Sequence, residues 1–176
     1  MSLADVLSGM RLLLAAAMPW LLPRGGVWPL VVWSLAAASD YVDGPIARRR
    51  GATSLRGAVL DNVADVAFVL VGLGTAAALG LIPWVVPASI GLSAGAYAAA
   101  SLRRSPSGTR LARSHLGHWA GVLNYACLGL VAGAVAWPSA AWPAVLTVAS
   151  TVTAAANLAA VALRLAPGTR AASRTT

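Results

Sequence analysis

Apolar runs as long as a bilayer is thick follow one another along this chain with almost nothing between them. The breaks are Pro23 with Gly25 and Gly26, the stretch 48–56, Pro83, the stretch 105–114, and the segment from Pro138 to Pro143. A spanning helix needs roughly 20 mostly apolar residues, so a chain of this length holds about six spans with no room for a soluble domain. The pattern predicts helices over 6–22, 27–47, 57–81, 83–101, 115–136 and 141–163. A 59% hydrophobic and 10% charged composition excludes a soluble enzyme and a disordered tail. The expected fold class is therefore an all-α integral membrane protein with six transmembrane helices, in one domain over residues 1–176. No small-residue cleavage site follows Leu21 and Leu22, and the one early cation, Arg11, lies inside the apolar stretch. A retained span is expected there, not a secretory signal.

The charges set an orientation. All 13 basic residues are arginine, and the net charge is +8. Such a balance can mark a nucleic-acid binder, but here the arginines cluster between apolar runs, the pattern of membrane topology. Arg48, Arg49, Arg50 and Arg56 are expected in one connection. Arg103, Arg104, Arg110 and Arg113 flank or occupy another, and Arg164, Arg170 and Arg174 follow the last helix, whereas the opposite side carries Arg24 alone. The positive-inside rule puts the arginine-rich loops and both termini in the cytoplasm. Trp20, Trp28, Trp84, Trp137 and Trp142 gather near the expected outer ends, as interfacial rings do. The implied location is the cytoplasmic membrane, with no nucleic-acid partner.

The acids carry the chemistry. All five are aspartate, and Asp40, Asp43, Asp61 and Asp65 fall within 26 positions. Asp40 and Asp43 share one face near the end of the second helix; Asp61 and Asp65 share one near the start of the third. At about 1.5 Å rise per residue, Asp43 and Asp61 lie roughly 6–8 Å inside their helix ends, and Asp40 and Asp65 roughly 12 Å. The four can thus meet at one depth. Like charges at helical spacing repel, and a carboxylate in a membrane is costly. Protons, arginines or metal ions must compensate. Two divalent cations match the charge, and oxygen-only ligation suits Mg²⁺ or Mn²⁺. A metal pair would clamp a phosphoryl displacement. A proton relay, or an Asp–Arg network using Arg48, Arg49 and Arg50, accounts for the acids equally simply. Gly44, Ala47 and Gly57 lie on the acid-bearing stretches and let either a ligand or a neighbouring helix approach closely. Arg48 offers a planar fork for phosphate.

The run Asp40-Tyr41-Val42-Asp43-Gly44-Pro45-Ile46-Ala47-Arg48, followed by Gly57, Asp61 and Asp65, resembles the signature of the CDP-alcohol phosphotransferase family, D-x2-D-G-x2-A-R-x8-G-x3-D-x3-D. Every fixed position is filled at the right spacing. The resemblance implies six spans with both ends cytoplasmic, and transfer of a phosphatidyl group from CDP-diacylglycerol to an alcohol with release of CMP. By position it implies that Asp40 and Asp61 bridge two metals, that Asp43 completes one site, and that Asp65 completes the other and acts as general base. It also implies that Gly44, Ala47, Arg48, Ser54 and Gly57 line the donor nucleotide. The family often carries Asn-x2-Thr-x2-Arg in its first helix, beside the nucleotide. Here that stretch reads Asp5-Val6-Leu7-Ser8-Gly9-Met10-Arg11, which adds Asp5 and Ser8 as donor contacts. A negative charge favouring a helix N-terminus is the plainer reading of Asp5. Homodimers are common in the family, and one is expected here.

The acceptor is less constrained. Arg110 and Arg113 are candidates to hold an acceptor phosphate, with Arg164 and Arg170 weaker ones; topology or anionic lipid accounts for them otherwise. Glycerol 3-phosphate is the first acceptor expected, with inositol phosphate or serine as alternatives. His115 and His118 share a face near a helix end and are expected at the interface. Asn124 and Tyr125 either line the acceptor cavity or join helices. Cys127 reads as a small buried hydrophobe. A small cation or proton transporter using the aspartates as an ion site is the rival reading, though it leaves Gly44, Ala47, Arg48 and Gly57 unaccounted for.

Overall fold

A computed structural model describes residues 3–50, 55–104 and 115–165; within them, side chains at 3–5, 7, 40–50, 55–58 and 102–104 are not described. Among the described residues there are six α-helices: α1 (Leu3–Leu21), α2 (Trp28–Arg50), α3 (Leu55–Ala78), α4 (Val85–Arg104), α5 (His115–Ala136) and α6 (Trp142–Leu165). A 3-10 turn over Leu22–Arg24 closes α1.

Proline and glycine set most of the boundaries. Pro29, Pro87 and Pro143 fall in the first turns of α2, α4 and α6, where a missing N–H costs nothing. Gly25 and Gly26 turn the chain between α1 and α2 with φ of 73° and 76°. The third helix was expected to reach residue 81 but stops at Ala78. Gly80, at φ 73°, takes the left-handed conformation, and its N–H reaches Ala77 O while that of Leu81 reaches Ala76 O, both at 3.0 Å. That double bond is a Schellman stop. A second correction concerns Arg48, Arg49, Arg50 and Arg56, which were expected in a connection. They lie on α2 and α3. Arginine is a strong helix former, so the helices run on past the apolar stretch.

Among the described residues three helical stretches are long and apolar enough to cross a membrane: Val59–Ala78, His115–Ala136 and Trp142–Leu165. Two shorter apolar stretches, Trp28–Ser39 and Val85–Ser101, sit in α2 and α4.

The helices close into a ring in the order α1, α2, α5, α6, α4, α3, and α3 also touches α5 across it. The core lies inside this ring, with Met18, Phe68, Leu73, Val86, Leu128 and Val131 wholly buried. Two glycines of the core admit close neighbours. A Cβ at Gly129 would stand 2.6 Å from the Trp33 ring, and one at Gly72 would stand 2.7 Å from Leu128. Trp20, Trp28, Trp84 and Trp137 are exposed where helices end or begin. Arg24 lies over the Trp20 ring, 5.0 Å from its centroid, and donates to Trp20 O at 2.6 Å.

Candidate functional site

The two acids of α3, Asp61 and Asp65, stand one helical turn apart and repel each other. The structure answers that repulsion from α1. Arg11, with no exposed side-chain surface, donates from Nη1 to Asp61 Oδ1 at 2.9 Å and to Asp65 Oδ1 at 2.5 Å. Ser8 lies three residues earlier on the same helix face, and its hydroxyl donates to Asp61 Oδ1 at 3.4 Å. From α2, Ser39 Oγ accepts from Arg11 Nη2 at 3.4 Å and donates to Ala36 O at 2.8 Å. From α5, the Tyr125 hydroxyl donates to Asp65 Oδ1 at 3.1 Å, with its ring stacked on Phe68. Trp33 donates from Nε1 to Tyr125 O at 2.9 Å and so braces α5 against α2. Four helices thus converge on one pair of carboxylates. A charge buried this deeply is tolerated when it is paired and hydrogen-bonded, and Arg11 is both.

The carboxylates are open where Arg11 is not. Asp61 and Asp65 are 37% and 27% exposed, against 0% for Arg11, so a ligand reaches the acids without passing the guanidinium. Asp65 lines a cavity of about 420 Å³, walled by Trp33, Asn62, His118, Asn124 and Tyr125 among others. A second cavity of about 260 Å³ shares Asn62, Gly117, His118, Gly121 and Asn124 with the first. Its far wall includes Tyr97 and Arg164. Arg164 lies over the Tyr97 ring, 5.2 Å from its centroid, and donates to Ser93 O at 3.0 Å. Asn157 donates to Asn124 Oδ1 at 2.7 Å and fastens α6 to α5 beneath the shared wall. Asp65 lines the first of these adjoining cavities and Arg164 the second.

Of the residues singled out from sequence, Asp61, Asp65 and Ser8 come together in this cluster. Asp40, Asp43, Gly44, Ala47 and Arg48 lie on α2, Gly57 on α3 and Asp5 on α1, with their side chains outside the described residues. Ser54, Arg110 and Arg113 lie outside them altogether. The cation seen against the α3 acids is Arg11, where sequence reasoning had looked to Arg48, Arg49 and Arg50 for an Asp–Arg network. Arg11 had a legible signal, because a lone arginine within an apolar run marks a functional partner by default. Tyr125 and His118 had none that separates them from packing and interface residues. His118 is exposed and edge-on to Trp119, and it walls both cavities.

Among the described residues no group of three or more His, Cys, Asp or Glu side chains could hold a metal ion. The donor chemistry around Asp61 and Asp65 nonetheless fits a hard cation. Both Oδ1 atoms touch one nitrogen, so they stand no farther apart than the sum of those two contacts, and their neighbours Ser8 and Tyr125 offer only oxygen.

A family model described as CDP-alcohol phosphatidyltransferase matches residues 1–164. No curated protein and no solved structure matches the chain.

Proposed function

We propose that this chain, which belongs to the CDP-alcohol phosphatidyltransferase family, moves the phosphatidyl group of CDP-diacylglycerol to a small phosphorylated alcohol, glycerol 3-phosphate first, and releases CMP. Family membership makes it a multi-pass membrane transferase of phospholipid synthesis. In our reading all six helices span the cytoplasmic membrane as a single domain over 1–176, with both termini and the site on the cytoplasmic side. A homodimer is the assembly we expect.

The family is generally dependent on divalent metals. We assign Asp40, Asp43, Asp61 and Asp65 to hold two Mg²⁺ or Mn²⁺ ions, which when bound neutralise charge on the diphosphate and the departing CMP. Gly44, Ala47, Arg48, Ser54 and Gly57, with Asp5 and Ser8 of the first helix, take the donor nucleotide. Asp65 accepts the proton of the acceptor hydroxyl as the new O–P bond forms and the bond to CMP breaks. Its hydrogen bond from Tyr125 fixes the carboxylate at the cavity wall, which suits that task.

The observation that carries this reading is a pair of adjoining cavities that share Asn62, His118 and Asn124, one lined by Asp65 and the other by Arg164. An alcohol bearing a phosphate has its two ends matched there: a hydroxyl beside a carboxylate, and an anion beside a guanidinium. A guanidinium has five N–H donors, so holding Ser93 O leaves it capacity for phosphate. Arg164 therefore joins Arg110 and Arg113 as a proposed acceptor anchor. The test is CMP release from CDP-diacylglycerol in detergent, with and without Mg²⁺ or Mn²⁺, across glycerol 3-phosphate, inositol phosphate, serine and unphosphorylated alcohols. Metal-dependent release with phosphorylated acceptors is expected. Cation uptake into proteoliposomes without CMP formation would overturn it in favour of a transporter.

A further inference from the structure

We propose that Arg11 is an exchangeable counter-ion: it holds the two α3 carboxylates together while no metal is bound and yields its place when one enters. The inference rests on the reading of Asp61 and Asp65 as metal ligands and adds a residue that this reading did not use. One nitrogen, Nη1, serves both Oδ1 atoms, which is how a bridging ion would sit between them. A Mg²⁺ ion bonds carboxylate oxygen at about 2.0–2.1 Å, closer than Nη1 approaches either acid. An ion that enters between the two Oδ1 atoms therefore competes with Nη1 for the same place.

The surroundings make the exchange feasible without stranding a buried charge. The acids are partly exposed while Arg11 is not, so a hydrated ion arrives on the carboxylate side and the guanidinium retreats on the protein side. Ser39 already accepts from Nη2 and holds Arg11 toward α2 when Nη1 lets go. Ser39 directly precedes Asp40, so the retreat is toward the other arm of the acidic signature. Ser8 stays with Asp61 throughout. Ligands that exclude one another are coupled reciprocally: whatever Arg11 contributes to the metal-free site is subtracted from metal affinity.

The experiment compares the full-length wild-type protein with Arg11→Gln in detergent, titrating Mn²⁺ and reading free Mn²⁺ by electron paramagnetic resonance. The expected result is Mn²⁺ binding roughly tenfold tighter in Arg11→Gln, at the lower end of ordinary coupling between exclusive ligands. Thermal unfolding should show the variant less stable than wild type without metal, with the gap narrowed at saturating Mn²⁺. Equal or weaker Mn²⁺ binding by a folded variant overturns the proposal and makes Arg11 a fixed support for the acids. Should Arg11→Gln not fold, Arg11→Lys reads the same competition. A single ammonium matches two carboxylates and Ser39 less well than a guanidinium fork does, so its Mn²⁺ affinity should also exceed that of wild type, and equality overturns the proposal. Absence of Mn²⁺ binding in wild type and variant alike would sink the metal reading itself, a different outcome from equal binding by both.

Discussion

Asp65 receives hydrogen bonds from two helices at one oxygen, Oδ1, from Arg11 and from Tyr125, and still opens onto a cavity. The bond from Tyr125 does not depend on Arg11 and holds that carboxylate where, in the proposed reaction, it takes a proton from a bound alcohol. Asp65→Asn keeps the shape but cannot accept the proton, so CMP release should fall by about 10²–10⁴-fold. CDP-diacylglycerol binding should largely persist. Near-normal turnover in that variant would exclude Asp65 as the base. At this scale the sequence was legible where spacing carries meaning: Asp61 and Asp65, one turn apart, do present oxygens to a common atom. It was illegible where the partner comes from a distant helix. Nothing near Tyr125 in the sequence points to an acid 60 positions away, and Arg11 reaches its acids only because α1 packs along α3.

At the scale of the element, boundaries followed chemistry that can be read off the chain, because proline, glycine and the edges of apolar runs are local signals. The two departures are also local. Gly80 ended α3 early, through a left-handed turn that hydropathy does not register, and the arginines after Ala47 prolonged α2, because helix propensity outlasts the apolar run. Packing was harder to foresee. Gly72 and Gly74 look alike in sequence, yet a Cβ at Gly72 meets Leu128 whereas one at Gly74 meets nothing within 4 Å. Gly129 is the tightest of these places. It faces the Trp33 ring, which cannot swing away without losing its bond to Tyr125 O. Gly129→Ala should therefore destabilise the fold by about 1–3 kcal/mol, the usual cost of overpacking. Gly74→Ala should leave stability unchanged or slightly raised. Thermal unfolding of the two variants side by side in detergent checks both.

Over the whole molecule, the ring order α1, α2, α5, α6, α4, α3 brings the end of the chain back beside its middle. Arg164, in the last turn of α6, is tied to Ser93 and Tyr97 of α4 and lines a cavity that adjoins the one lined by Asp65. A charge-assisted hydrogen bond contributes about 1.5–3 kcal/mol, so Arg164→Ala should raise KM for glycerol 3-phosphate roughly tenfold or more. KM for CDP-diacylglycerol should not change, and an unphosphorylated alcohol should be used equally well by both proteins. Steady-state kinetics with the two acceptor types separates these outcomes. The closure of the ring was invisible to hydropathy, which ranks helices by apolarity and says nothing of which ones touch.

The division of labour around that ring has an evolutionary corollary. The acids and their arginine belong to the first three helices, and most of the polar wall facing them belongs to the last three. If the proposed roles hold, a scaffold of this kind changes its head group by altering the second half alone, with the acidic half inherited intact.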